Sequence, residues 1–228
     1  MERKTQTRTA IVAGATGLVG RELVRLLLAH PSYARVVALV RRESGRSHPR
    51  LIEHRIAFDR LEAETDGLLE GADVFCALGT TIKKAGSQEA FRRVDYEYPL
   101  ALGRAAKRDG AARLLIVSSM GADSRSKFFY SRVKGDIERD LTALKLPHLV
   151  ILRPSLLLGE REEKRPGEHA AAALYRPLGA LMVGPLAKYR AIPASAVAEA
   201  MLRAAASGTT AVEVLESDRI AALAAAST

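Results

Sequence analysis

The chain has no tryptophan, a single cysteine and no long apolar run, and each absence removes a class of explanation. One thiol, Cys76, cannot form an internal disulfide or a cysteine-based metal cage, and its setting in VFCALG reads as a small buried hydrophobe. No apolar run reaches the roughly 18 residues of a membrane span. The opening MERKTQTRTAIVAG is too polar for a secretion signal, so the expectation is a soluble cytoplasmic protein with no metal centre and no membrane partner. Aromatic residues make up 5% of the chain, too few for a series of base-stacking platforms. The 35 basic residues outnumber the 26 acidic ones, for a net charge of +9, but the two signs are interspersed as on a solvated surface. Nucleic acid is therefore not expected as the principal partner. A small-molecule substrate is expected, and a protein partner or homo-oligomer stays open.

With 48% apolar residues in 228, the chain can bury a substantial core, and no composition break divides it; residues 1–228 are read as a single domain. TAIVAGA (9–15), RVVALV (35–40), LIEHRIAF (51–58), ADVFCAL (72–78), ARLLIVSS (112–119) and HLVILRP (148–154) read as short buried strands. Helical spacing lies between them, in GLVGRELVRLLLAH after the first strand, at 90–109 and at 126–145. This alternation predicts an α/β fold: a Rossmann-type, doubly wound parallel sheet with helices on both faces. The less regular stretch 159–190 is expected to be a small C-terminal insertion covering the substrate, with Tyr175 and Met182 among its lining residues.

In GATGLVG the glycines Gly14, Gly17 and Gly20 stand three apart, between the first strand and the first helix. Such a turn lets backbone approach a pyrophosphate, and the helix N-terminus presents free N–H groups to it. Gly14, Thr16, Gly17, Leu18 and Val19 are the predicted cradle, with Gly20 there for close helix packing; a tight structural turn is the plainer alternative. The second strand runs into LVRRESGR, without the carboxylate that would bind a ribose 2′-hydroxyl. Arg41 and Arg42 could instead pair with a 2′-phosphate, each charge-assisted bond worth about 1.5–3 kcal/mol. The expected cofactor is NADP, with NADPH preferred over NADH.

GATGLVG, VSS (117–119), Tyr130-Ser-Arg-Val-Lys134 and LRPSLLLG (152–159) stand in the order and register of the short-chain dehydrogenase/reductase superfamily. In CALGTTIKKAGS, FRRVDYEYPLALGRAAK and VSSMGADSRSKFFYSRVKGDIE the chain resembles the atypical group that includes the Tat-interacting oxidoreductase proteins. The resemblance implies an NADP-dependent oxidoreductase moving hydride between nicotinamide and a small carbonyl or secondary alcohol. It implies Tyr130 as general acid/base, Lys134 as its partner, and Ser119, with Ser118 the alternative, holding the substrate oxygen; Tyr130 and Lys134 are also implied as cofactor-binding, Lys134 through a hydrogen bond to the nicotinamide ribose. Free tyrosine releases its proton only near pH 10, and an ammonium one helical turn away favours the phenolate. The same resemblance assigns Leu78, Gly79, Thr80 and Pro154 to the nicotinamide side and Asp59 to the adenine side. As structural alternatives, Thr80 and Thr81 would be turn residues and Asp59 a helix cap.

Two departures matter. Asp95 stands where many classical members carry an active-site Asn, which leaves a family-type proton relay open. The part after the sixth strand is short for a nucleotide-sugar enzyme. A different class of function, a dinucleotide-sensing regulator acting through a protein partner, would keep the glycine turn but has no need of Tyr130 and Lys134. At equal concentration NADPH is expected to raise the melting temperature more than NADH does; equal shifts would remove the argument from Arg41 and Arg42.

Overall fold

In β1 (Arg8–Ala13) alternate residues face opposite sides of the sheet, and both sides are buried: Ala10 and Val12 join one core cluster, Ile11 and Ala13 the other. A strand apolar on both faces requires cover on both. The computed structural model describes residues 8–158, 188–207 and 211–226 and supplies that cover. After β1 come α1 (Leu18–Ala29), β2 (Tyr33–Val40), β3 (Leu51–Arg55), a short 3₁₀ turn Phe58–Arg60, α2 (Leu61–Glu64) and β4 (Asp73–Cys76). Then follow α3 (Ile82–Ala85), α4 (Gln88–Arg92), a π-helical segment Arg93–Glu97, α5 (Tyr98–Arg108), β5 (Arg113–Val117), α6 (Phe129–Ala143) and β6 (His148–Arg153). The described remainder is β7 (Leu157–Leu158), β8 (Ile192–Pro193), α7 (Ala194–Ala206), β9 (Ala211–Glu216) and α8 (Ser217–Ala225).

The main sheet runs β3-β2-β1-β4-β5-β6-β9, and every pairing in it is parallel. Helices α1, α7 and α8 pack on one face through Leu23, Leu27, Val197, Met201 and Ile220. On the other face α5 and α6 bring Leu102, Ala105, Ile137 and Leu141. Each fully buried leucine or isoleucine contributes roughly 1.5–3 kcal/mol relative to exposure. This is the doubly wound α/β architecture that the alternation predicts, with seven strands instead of six. The additional strand is β9, whose AVEVLE alternates apolar and acidic residues at the edge of the sheet. The 51–58 strand stops at Arg55, and the helix expected over 90–109 is interrupted by the π segment. Residues 159–187, including Tyr175 and Met182, lie outside the described residues, so the expected covering segment does too.

The order in which successive strands are laid across the sheet reverses between the parallel strands β1 and β4, and their carboxyl ends flank the glycine turn. Gly14 takes φ +87°, and a Cβ there would lie 2.5 Å from the Ala77 carbonyl oxygen. The Gly17 N–H donates to the Gly14 carbonyl at 3.0 Å, closing the turn. A Cβ at Gly20 would collide with that same Gly14 carbonyl, so Gly20 fits α1 against the turn itself rather than against the sheet. Gly20→Ala must push α1 or the turn aside. It is expected to cost about 1–3 kcal/mol in urea unfolding and to weaken dinucleotide binding; unchanged stability would mean the turn yields freely.

Candidate active site

Helix α6 begins with Phe128, extended and exposed, as its N-cap, and no side chain caps it. Its first turn is held from the preceding loop: the Arg132 guanidinium donates to the carbonyls of Ser126 and Lys127, at 2.9 and 3.2 Å. The Asp123 N–H donates to the Ser131 carbonyl at 3.0 Å. Gly135 allows the close approach, since a Cβ there would strike the backbone of Asp123 and Ser124. The loop leaving β5 is thereby pressed against α6 at Ser131 and Gly135, which directly follow Tyr130 and Lys134 in sequence. The ring of Phe91, fully buried, lies 5.6 Å from that of Tyr130 and 5.7 Å from that of Phe129.

The two side chains of the Tyr-x-x-x-Lys pair have opposite surroundings. Tyr130 is 38% exposed and Lys134 only 5%. Lys134 Nζ lies 2.7 Å from Asp95 Oδ1, and Asp95 Oδ2 accepts the Thr80 N–H at 2.9 Å. At that distance the two buried groups form an ion pair. Burial pushes the ammonium toward losing its proton, but the Asp95 charge, with smaller help from Tyr130, outweighs it and raises the Lys134 pKa. Because the folded value is raised, this contribution to stability is complete below about pH 10.4 and is lost as pH rises through the folded value. Cys76, at the end of β4, is fully buried; burial pushes its thiol up to about 11, in keeping with an inert hydrophobe.

The two serines part company. Ser118 is buried and its hydroxyl donates to Glu138. Glu138 also holds Arg153, whose Nε lies 3.1 Å from both carboxylate oxygens, and Arg153 reaches Glu216 at 3.0 Å. This network ties α6 to the carboxyl ends of β5, β6 and β9. Ser119 is half-buried, and its hydroxyl makes one long 3.3 Å contact with the Met120 carbonyl. Pro154 is buried, and its carbonyl accepts the Met120 N–H at 3.0 Å, which joins the turns after β5 and β6.

On the far side of the glycine turn, Arg41 and Arg42 are exposed at the end of β2. Asp59 caps no helix; it accepts the Tyr98 hydroxyl at 2.7 Å. Burial first, then Asp59, pushes that phenol up to about 12, against the opposing charges of Arg93 and Arg41. Thr81, not Thr80, is the turn residue, capping α3 by accepting the Lys84 N–H. Gly79 sits over the ion pair, with a Cβ there 3.5 Å from Asp95 Oδ1. Thr16 is exposed, whereas the Val19 side chain is in the core, leaving its backbone N–H as its route to a ligand. A groove of about 740 Å³ lined by Arg25, Ile192, Glu199 and Asp218 is on the opposite face of the sheet from α6 and includes none of these residues.

The turn fits a dinucleotide, because Gly14 forms a cradle that a Cβ would fill and α1 begins without a side-chain cap. Residues 14–207 match the family described as NAD(P)H-binding. The chain belongs to that family. "Protein HTATIP2" of Rattus norvegicus is 34% identical over 222 residues, 95% of this chain and 89% of that protein. "Protein FMP52, mitochondrial" of Eremothecium gossypii is 39% identical over 167 residues, 73% of this chain and 74% of that protein. Among solved structures, the Bordetella bronchiseptica enzyme WbmH in complex with NAD+ matches with a TM-score of 0.68 at 14% identity, covering 92% of this chain and 76% of that one. MoeE5 in complex with UDP-glucuronic acid and NAD matches at 0.66 and 20% identity, covering 91% and 75%. These similarities make the chain an NAD(P)H-binding family member, and the two solved structures share its fold. The expected cytoplasmic location is overturned: the relatives from Eremothecium gossypii, Candida albicans and Scheffersomyces stipitis are all named mitochondrial.

Glu138→Ala would leave the Arg153 guanidinium and Ser118 without their shared partner. Arg153 is a quarter exposed, so the expected loss is about 3 kcal/mol, the lower end for a broken buried pair, measured by urea unfolding. A loss below about 1 kcal/mol would mean that water already serves Arg153.

Proposed function

We propose that the protein is an NADP-dependent oxidoreductase acting on a small carbonyl or secondary alcohol, with Ser119, Tyr130 and Lys134 as its catalytic set. The observation that carries this reading is the arrangement on α6: an exposed phenol one turn from a buried, ion-paired ammonium. Gly14, Thr16, Gly17, Leu18 and Val19 would hold the pyrophosphate through backbone, with Arg41 and Arg42 on the 2′-phosphate. Asp59 would lie on the adenine side, and Leu78, Gly79, Thr80 and Pro154 beside the nicotinamide. When bound, the dinucleotide supplies or accepts hydride.

The chain's own groups handle the proton. Tyr130 Oη gives its proton to the substrate oxygen during reduction and takes it back during oxidation. Lys134 Nζ steadies the phenolate left behind. Ser119 Oγ donates to the same substrate oxygen and fixes where it lies. The long contact of Ser119 supports it over Ser118, whose hydroxyl is engaged by Glu138. We take the chain as one domain.

Tyr130→Phe removes the proton donor and leaves the cofactor contacts. Turnover of a panel of small aldehydes and ketones, followed by loss of NADPH absorbance, is expected to fall by about 10²–10⁴. NADPH affinity should stay within about twofold, because only the proton-transfer hydroxyl is lost while the ring, Lys134 and the glycine turn remain. Turnover that survives the substitution would refute the assignment. Tight NADPH binding with no turnover in the parent would favour the sensing alternative.

A further inference from the structure

Asp95 and Lys134 meet beneath the turn that ends β4, where the carboxylate is 1% and the ammonium 5% exposed. The groups that face Lys134 are Asp95 from the π segment, Tyr130 from its own helix and the Cys76 thiol from β4. Asp95 divides its two oxygens, one to Lys134 Nζ at 2.7 Å and the other to the Thr80 N–H at 2.9 Å. The π turn is where the helix departs from regular spacing, and such single turns mark functional positions often enough to merit a test.

We propose that Asp95 is a positioning residue for Lys134: its carboxylate keeps the shielded ammonium charged and ties it to the Leu78–Gly79–Thr80 turn. The inference rests on the reading of Lys134 as the partner of Tyr130. A purely structural side chain here would need only to satisfy the Thr80 N–H, which a neutral amide does equally well. The carboxylate adds a counter-charge, and that has two consequences. It opposes the burial that would otherwise strip the proton from Lys134. It also cancels most of the ammonium's long-range field, so Lys134 acts on groups in contact with it and hardly beyond. One side chain thus sets both the charge and the place of the lysine.

Asp95→Asn separates charge from shape, since the amide oxygen can still accept from Thr80. Nuclear magnetic resonance of isotope-labelled lysine follows the titration, with Lys134 assigned by the signal missing from Lys134→Arg. In the parent, Lys134 is expected to titrate above the surface lysines. In Asp95→Asn it should release its proton at least tenfold more readily, a fall of about one pH unit or more, while the surface lysines stay put. A parent midpoint at or below the surface lysines, or the same midpoint in both proteins, overturns the proposal. The parent measurement decides the matter even if Asp95→Asn fails to fold. No turnover is read, so a failed oxidoreductase assay and a failed titration remain separate results.

Discussion

A lysine ammonium shut away from solvent needs a counter-charge, and the site is arranged around the one that Lys134 has. Moving an unpaired ammonium into such surroundings costs several kcal/mol or more, or else strips its proton. Asp95 removes that penalty at 2.7 Å, and to do so it must be carried inward by a π turn and held by the Thr80 backbone. Three elements are thereby fixed to one another: the turn that ends β4, the π segment Arg93–Glu97, and α6. The exposed Tyr130 inherits its place from that arrangement, through α6 and the ring of Phe91.

Charge is used differently at the two ends of the sheet. At the amino end Asp73 is buried and closed off by Arg8, Arg113 and the Tyr33 hydroxyl, which joins the starts of neighbouring strands. At the carboxyl end Glu138 and Arg153 do similar work behind Ser118. In front of them Ser119 has only a long contact with a neighbouring carbonyl, and Tyr130 is exposed. Open groups in front of a braced network are what a preorganised site requires, because the bracing is complete before a ligand arrives.

Much of the fold was legible in the chain, for identifiable reasons. Strands buried on both faces are continuous apolar runs, so five of them stood out; β3, expected to be buried, is an edge strand with no buried residue, and β9 alternates apolar and acidic residues at the other edge and offers no such run. The glycine turn was readable because Gly14 and Gly20 leave no room for a Cβ against backbone, and only sequence spacing is needed to see them together. Tyr130 and Lys134 share a helix face by arithmetic alone. The Asp95–Lys134 pair was not visible, because it joins positions 39 residues apart through a π turn that local spacing does not announce. The Glu138–Arg153–Glu216 network escaped for the same reason: its members come from α6, β6 and β9, and meet only once the sheet order is known. Location was misjudged because composition excludes a membrane span without naming a compartment.

The central claim is spatial: a dinucleotide crosses the switch point between β1 and β4 with its reactive ring against Tyr130 and Lys134. A crystal structure of the protein grown with NADPH tests it most directly. The account predicts the pyrophosphate over Gly14 and Gly17, and the nicotinamide ring within contact of the phenol and the ammonium. A ring lying elsewhere, or another part of the chain occupying that cleft in the complex, would contradict it.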